Sequence, residues 1–133
     1  MGRNVLALVA AIVFGSLVVW LVEKLGHTLY PYPEGMDPTD YEAIKEYIKT
    51  APTGAMLMVI LAHFLGALAS GIVVTKIAKS SHFVFAIISG AIFMVFGIMN
   101  IMMIPGPTWF AIADLATYIP GALIGYLLVK PKA

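Results

Sequence analysis

The chain contains no cysteine among its 133 residues. That removes disulfides, thiolate metal sites, iron–sulfur clusters and cysteine nucleophiles together. Charge is scarce as well. Only 11% of residues are Asp, Glu, Lys or Arg, whereas a soluble domain carries roughly 25%. With 61% hydrophobic residues the chain cannot cover its own surface with polar groups, so its solvent is a lipid bilayer. No basic stretch interleaved with aromatics points to nucleic acid. No phosphate-binding glycine loop, serine-nucleophile motif or metal signature is present, so the sequence offers no catalytic reading, no cofactor and no metal site.

What the chain does have is four apolar runs, at 4–25, 54–75, 83–104 and 109–129. Each meets the requirement of about 20 residues for a helix that crosses the hydrocarbon core. The expected fold is all-α, a polytopic four-transmembrane-helix bundle forming one membrane domain over 1–133. The first run follows a lone Arg3 and could be mistaken for a signal peptide. It is longer than the roughly 7–15 residues of a signal core and no small-x-small site follows it, so it reads as a retained span.

The one long polar segment is 26–53, an extracytoplasmic loop in this reading. It opens with Tyr30-Pro31-Tyr32-Pro33-Glu34-Gly35, which favours extended and turn conformations. Pro38, with Thr39 and Glu42 at capping-box spacing, predicts a helix start. Tyr41, Ile44 and Ile48 share a face with Glu42, Lys45, Glu46 and Lys49 elsewhere, so a short amphipathic helix lies on the membrane or caps the bundle.

Charge placement gives an orientation. Arg3, Lys76, Lys79, Lys130 and Lys132 fall at one end of the spans. The other end has the loop, with five acids (Glu34, Asp37, Asp40, Glu42, Glu46) against Lys45 and Lys49. The positive-inside rule then makes both termini cytoplasmic.

Against this apolar background a few polar residues stand out. Asp114 lies inside the last span, where a carboxylate costs about 2.5–3.5 kcal/mol at the bilayer centre and less near an interface. At about 1.5 Å of rise per residue, His63 falls near the midplane, and Glu23, Asn100, Asp114 and Tyr118 in the loop-side half. His27 lies just beyond Glu23. Helical periodicity groups Asp114 with Tyr118, Gly121 and Gly125, and His63 with Gly66, Ala67 and Ser70. It likewise groups Ser16 with Trp20, Glu23 and His27, and Gly90 with Phe93, Gly97 and Asn100. Small residues mark close helix contacts in membranes, so these stripes are expected to turn inward around one polar cleft. Pro120 contributes by freeing the carbonyl of Ala116 beside Tyr118.

Bland alternatives accompany each candidate. Asp114 paired with His63, Asn100 or Tyr118 would hold helix register as well as bind a ligand, ion or proton. Glu23 and His27, spaced i, i+4, would hold a divalent metal only with a third ligand that the sequence does not place. The methionines of the third span read as packing or lipid-facing surface. Trp109, Tyr30 and Tyr32 read as interface anchors. Gly121-x-x-x-Gly125 serves a dimer or the monomer's own packing equally well.

Pro33-Glu34-Gly35-Met36-Asp37 with Thr39-Asp40, Leu61-Ala62-His63-Phe64-Leu65-Gly66, and Pro107-Thr108-Trp109-Phe110 through Asp114-Leu115 to Tyr118-Ile119-Pro120 carry a resemblance. They resemble a family of short bacterial integral membrane proteins with four predicted spans and no assigned activity. The likeness covers most of the chain. It implies the fold, these residues and a bacterial cytoplasmic membrane, but no reaction.

The functional expectation is an outward-facing cleft that binds or transports an ion, proton or small amphiphile. Asp114 is its central charge, His63 and Glu23 tune it, Asn100 and Tyr118 donate hydrogen bonds, Trp109 lines the entrance, and His27 stands at the rim. Transport through four helices would need a homodimer. The alternative is an accessory subunit of a larger membrane complex, with the polar cluster as internal fastening.

Overall fold

The computed structural model describes residues 1–132 and is helical throughout, with no strand among the described residues; Ala133 lies outside them. The elements are α1 (Gly2–Leu29), α2 (Tyr41–Ile48), α3 (Thr53–Ile77), α4 (His82–Met103), α5 (Thr108–Leu115) and α6 (Tyr118–Val129). α5 and α6 are the two halves of one span, so four helical stretches are long and apolar enough to cross a membrane. α1 runs past both expected ends, because Arg3 and His27-Thr28-Leu29 continue its hydrogen bonding.

The fourth span is not one uninterrupted helix. Pro120 has no N–H to give to the Ala116 carbonyl, and the chain tightens at Ala116–Thr117. There the Thr117 N–H and hydroxyl both donate to the Asp114 carbonyl, at 3.1 and 2.7 Å. The helix resumes with the Gly121 N–H donating to the Thr117 carbonyl. The break falls between Asp114 and Tyr118 and turns both side chains inward.

α2 starts one residue later than the capping-box pattern suggests. Asp40 is the cap, its carboxylate accepting from the Glu42 and Ala43 amides. The Thr39 hydroxyl and amide are already engaged by Asp37, at 2.7 and 2.9 Å, in a turn that holds the Asp37 carboxyl below the ordinary carboxylate value. A local Asx turn competes successfully with the cap.

α3 is the central helix and packs on α1, α4 and α6. Its inner face carries His63, Gly66, Ala67 and Ser70, all buried as their periodicity requires. α1 crosses it where Gly15 and Gly66 face each other's backbone: a Cβ on either glycine would strike the other's carbonyl oxygen. Apolar helices gain no hydrophobic free energy from one another in lipid, so such close approach supplies the van der Waals contact that does hold them. Ser70 and Ser89 add a hydrogen bond of 3.3 Å between α3 and α4. Gly121 and Gly125 pack on Phe64 and Leu68 of α3, which assigns that motif to the chain's own bundle.

The stripe expected on α1 is corrected. Its buried residues are Ala7, Ala11, Gly15 and Gly26, while Ser16, Trp20 and His27 are exposed. Small residues select the packed face, and the polar stripe runs along its edge. At the basic end the Arg3 side chain donates to the Ile77 carbonyl and Asn4 accepts from the Lys79 amide, tying the start of α1 to the α3–α4 turn.

Candidate functional site

Three helices bring one ionisable group each to a common point. Asp114 descends from the start of the fourth span, about 9 Å in, and His63 lies about 15 Å along α3 from the same end. Glu23 is about 9 Å in from the loop end of α1. His63 stands between the two acids. Its Nδ1 is 2.6 Å from Asp114 Oδ1, and its Nε2 is 3.4 Å from Glu23 Oε1.

Tyr118 closes the arrangement. Its hydroxyl donates to Asp114 Oδ2 at 3.0 Å and lies 2.9 Å from His63 Nδ1, and its ring stacks on the imidazole with centroids 5.6 Å apart. Gly97 of α4 makes room for that ring, since a Cβ there would meet the Tyr118 hydroxyl and ring carbons. Asp114 is 1% exposed and Tyr118 2%, so the carboxylate is dry and both its oxygens are engaged. Hydrogen bonds to a charged group are worth about 1.5–3 kcal/mol, and two of them offset the burial cost that Asp114 incurs.

The two acids differ in environment. Glu23 keeps 35% of its side chain exposed, and it borders two cavities. The larger, about 260 Å³, lies at the loop end beneath α2, with Tyr30, Tyr32, Tyr47 and Phe110 among its walls. Burial, then the Glu23 charge, push the Tyr32 phenol above the ordinary tyrosine value. The second cavity, about 240 Å³, lies between α1 and α4, with His63 and Tyr118 at its floor. Asn100 borders both.

The expected residues therefore divide. Asp114, His63, Tyr118 and Glu23 form one connected set. Asn100 shares their cavities but makes no side-chain hydrogen bond to them. His27 is exposed, its Nε2 3.4 Å from the Tyr32 hydroxyl and its ring tilted against the Tyr32 ring with centroids 4.6 Å apart, so it belongs to the loop-end cavity. Trp109 is 44% exposed, lies edge-on to Phe110 and lines neither cavity; Phe110 takes the place expected of it. Periodicity alone did not single out Tyr47 or Phe96 as cavity walls. Tyr47 depends on how the loop folds over the bundle, and Phe96 lies at the exposed edge of the buried stripe of α4.

Chemically, a carboxylate, an imidazole and a second carboxylate in line form a path along which a proton can shift between the dry Asp114 and the wetter Glu23. Imidazole suits the middle position because its two nitrogens exchange roles between donor and acceptor. Glu23 and Asp114 approach opposite ring nitrogens, so they do not converge on a shared metal position. No family model, curated protein or solved structure matches the chain, so the resemblance to short bacterial four-span proteins stands without support.

Proposed function

We propose that this chain is a small membrane protein whose outward-facing cleft binds, and passes on, a proton or other small cationic or amphiphilic species at the Glu23–His63–Asp114 line. The observation that carries this reading is the asymmetry of the two acids around one imidazole. Asp114 is sealed with both its oxygens hydrogen-bonded, whereas Glu23 is partly open and borders both cavities. A register-holding ion pair needs no such second acid. In this reading the whole chain is one membrane domain in a bacterial cytoplasmic membrane, with both termini cytoplasmic. The loop end, with its cavity beneath α2, then faces outward, which agrees with the basic residues gathered at the opposite end.

The test is proton movement in proteoliposomes carrying a pH-sensitive dye, under an imposed membrane potential. The wild type is expected to move protons, and Glu23→Gln and Asp114→Asn, folded by circular dichroism, to lose that movement. A folded Asp114→Asn protein that moves protons like the wild type would overturn the proposal.

One observation favours the second reading, an accessory subunit with the cluster as fastening: both carboxylate oxygens of Asp114 are hydrogen-bonded within the chain. On that reading Asp114→Asn behaves as wild type and only Asp114→Leu fails, by misfolding.

A further inference from the structure

The charges within the spans do not balance. Two acids, Glu23 and Asp114, flank a single histidine. A protonated His63 neutralises one of them. Lys24, next in sequence, does not neutralise the other, because its Nζ lies 4.6 Å from the Trp20 ring centroid on the exposed side of α1. Asp114 is closed off by its two partners, so the unbalanced charge resides on Glu23. Its one hydrogen-bonding or ion-pair partner among the described residues is His63 Nε2, at the long distance of 3.4 Å.

The surroundings of that carboxylate are aromatic and open sideways. Phe93 and Phe96 of α4 wall the cavity of about 240 Å³ that leads to Glu23. α1 follows α3 closely but touches α4 only over a short stretch, which leaves a groove between α1 and α4. Ser16 and Phe96 on its rims are exposed. Val13, Leu17, Val95 and Met99 beside them are exposed as well, and at this depth an exposed apolar face meets hydrocarbon. The groove therefore faces the acyl chains of the bilayer, with a carboxylate at its inner end.

We infer that this groove binds a compact organic cation, an ammonium on an aromatic or short aliphatic body, which arrives from the bilayer between α1 and α4 and sets its charge against Glu23 and the exposed ring of Phe96, which meets the buried Phe93 ring edge to face. The inference rests on the proposed function and names the ligand class for the same cluster. A hard inorganic cation demands several converging oxygens, and Glu23 and Asp114 point at opposite sides of His63. A diffuse ammonium needs only one carboxylate and aromatic faces, which attract it through their quadrupoles. The cavity lies just below the roughly 300–1,000 Å³ of pockets for drug-sized ligands, so the ligand is a small one.

The experiment is isothermal titration of the purified chain in lipid nanodiscs with benzyltrimethylammonium and with its neutral carbon isostere. The cation is expected to bind saturably and the isostere at least tenfold more weakly. Glu23→Gln should weaken the cation at least tenfold while leaving the isostere unchanged, and Phe96→Leu should weaken it about two- to thirtyfold, the range of a cation–π contact. Equal affinity for cation and isostere, or a folded Glu23→Gln protein that binds the cation as well as the wild type, overturns the inference. Because the chain has no cysteine, Ser16→Cys gives a clean report on the groove. A nitroxide coupled there before reconstitution should lose mobility when the cation is present. A quantitative disulfide dimer in native membranes would show a second copy filling the groove and overturn the inference. Proton movement without cation binding overturns this inference alone, whereas loss of both removes the proposed function with it.

Discussion

Breaking the Asp114–His63 pair from either side should not cost the same. His63→Leu leaves a carboxylate that is 1% exposed with one remaining donor, the Tyr118 hydroxyl at 3.0 Å. An uncompensated buried charge of that kind costs about 3–5 kcal/mol. Asp114→Leu leaves an imidazole that can remain neutral and accept from Tyr118 at 2.9 Å, so the loss is nearer the ~1–3 kcal/mol of an impaired hydrogen bond. Replacing His63 and Asp114 by Leu together, with Tyr118→Phe so that no hydroxyl is stranded, removes every buried member of the set and leaves only Glu23, whose side chain is 35% exposed. Apolar replacement of a whole buried network is often neutral or stabilising, and the triple variant should fall within ~1 kcal/mol of wild type. Unfolded helices in a membrane also find partners, which trims these values without changing their order. The assay is SDS titration in mixed micelles followed by far-ultraviolet circular dichroism. If Asp114→Leu costs as much as His63→Leu, or if the triple variant sums the single penalties, the reasoning from geometry is wrong.

Other consequences follow from particular contacts. Gly97→Ala places a Cβ against the Tyr118 ring and hydroxyl, and should destabilise by about 1–3 kcal/mol in the same titration, whereas Gly2→Ala meets no neighbour and should leave the midpoint unchanged. The Asp37 carboxyl, lowered by the Thr39 hydroxyl and amide, orders the turn before α2 fully above the unfolded aspartate value near pH 4. That contribution is lost as pH falls through the folded, lower value, which the Thr39 amide resonance should follow in a pH titration. The Tyr32 phenol should ionise above free tyrosine, and Glu23→Gln should bring it part of the way back; absorbance difference against Tyr32→Phe reads this, and no movement would separate Glu23 from the loop-end cavity.

Much of this architecture was legible because lipid imposes strong rules on sequence. Four runs of sufficient length, and a lone aspartate that must find a partner, lead to the bundle and to Asp114 with His63 and Tyr118. The inward stripes of α3 and of the fourth span follow from small residues at helical spacing. On α1 polarity and packing mark different stripes: Ser16, Trp20, Glu23 and His27 share a face by periodicity, while Ala7, Ala11 and Gly15 carry the packing. Glu23 still reaches His63 because a long side chain at the edge of a packed face can bend into a neighbouring groove. The cap of α2 falls one residue beyond the position the Thr39–Glu42 spacing predicts because Thr39 is claimed by Asp37, a competition between two local hydrogen bonds that spacing cannot decide. A polar cleft is legible from the stripes, since Glu23, His63, Asn100 and Tyr118 all line the second cavity, whereas the separate loop-end cavity is not, because it depends on how α2 folds over the bundle.

The most direct measurement is solid-state NMR of the chain in lipid bilayers, with nitrogen-labelled histidine and carbon-labelled aspartate and glutamate. The account predicts that His63 Nδ1 shows through-space correlation to the Asp114 carboxyl carbon and His63 Nε2 to that of Glu23, on the same ring. A His63 that correlates with Asp114 alone, with the Glu23 carboxyl indistinguishable from a freely hydrated one, would contradict it and leave the cluster as a fastening between helices.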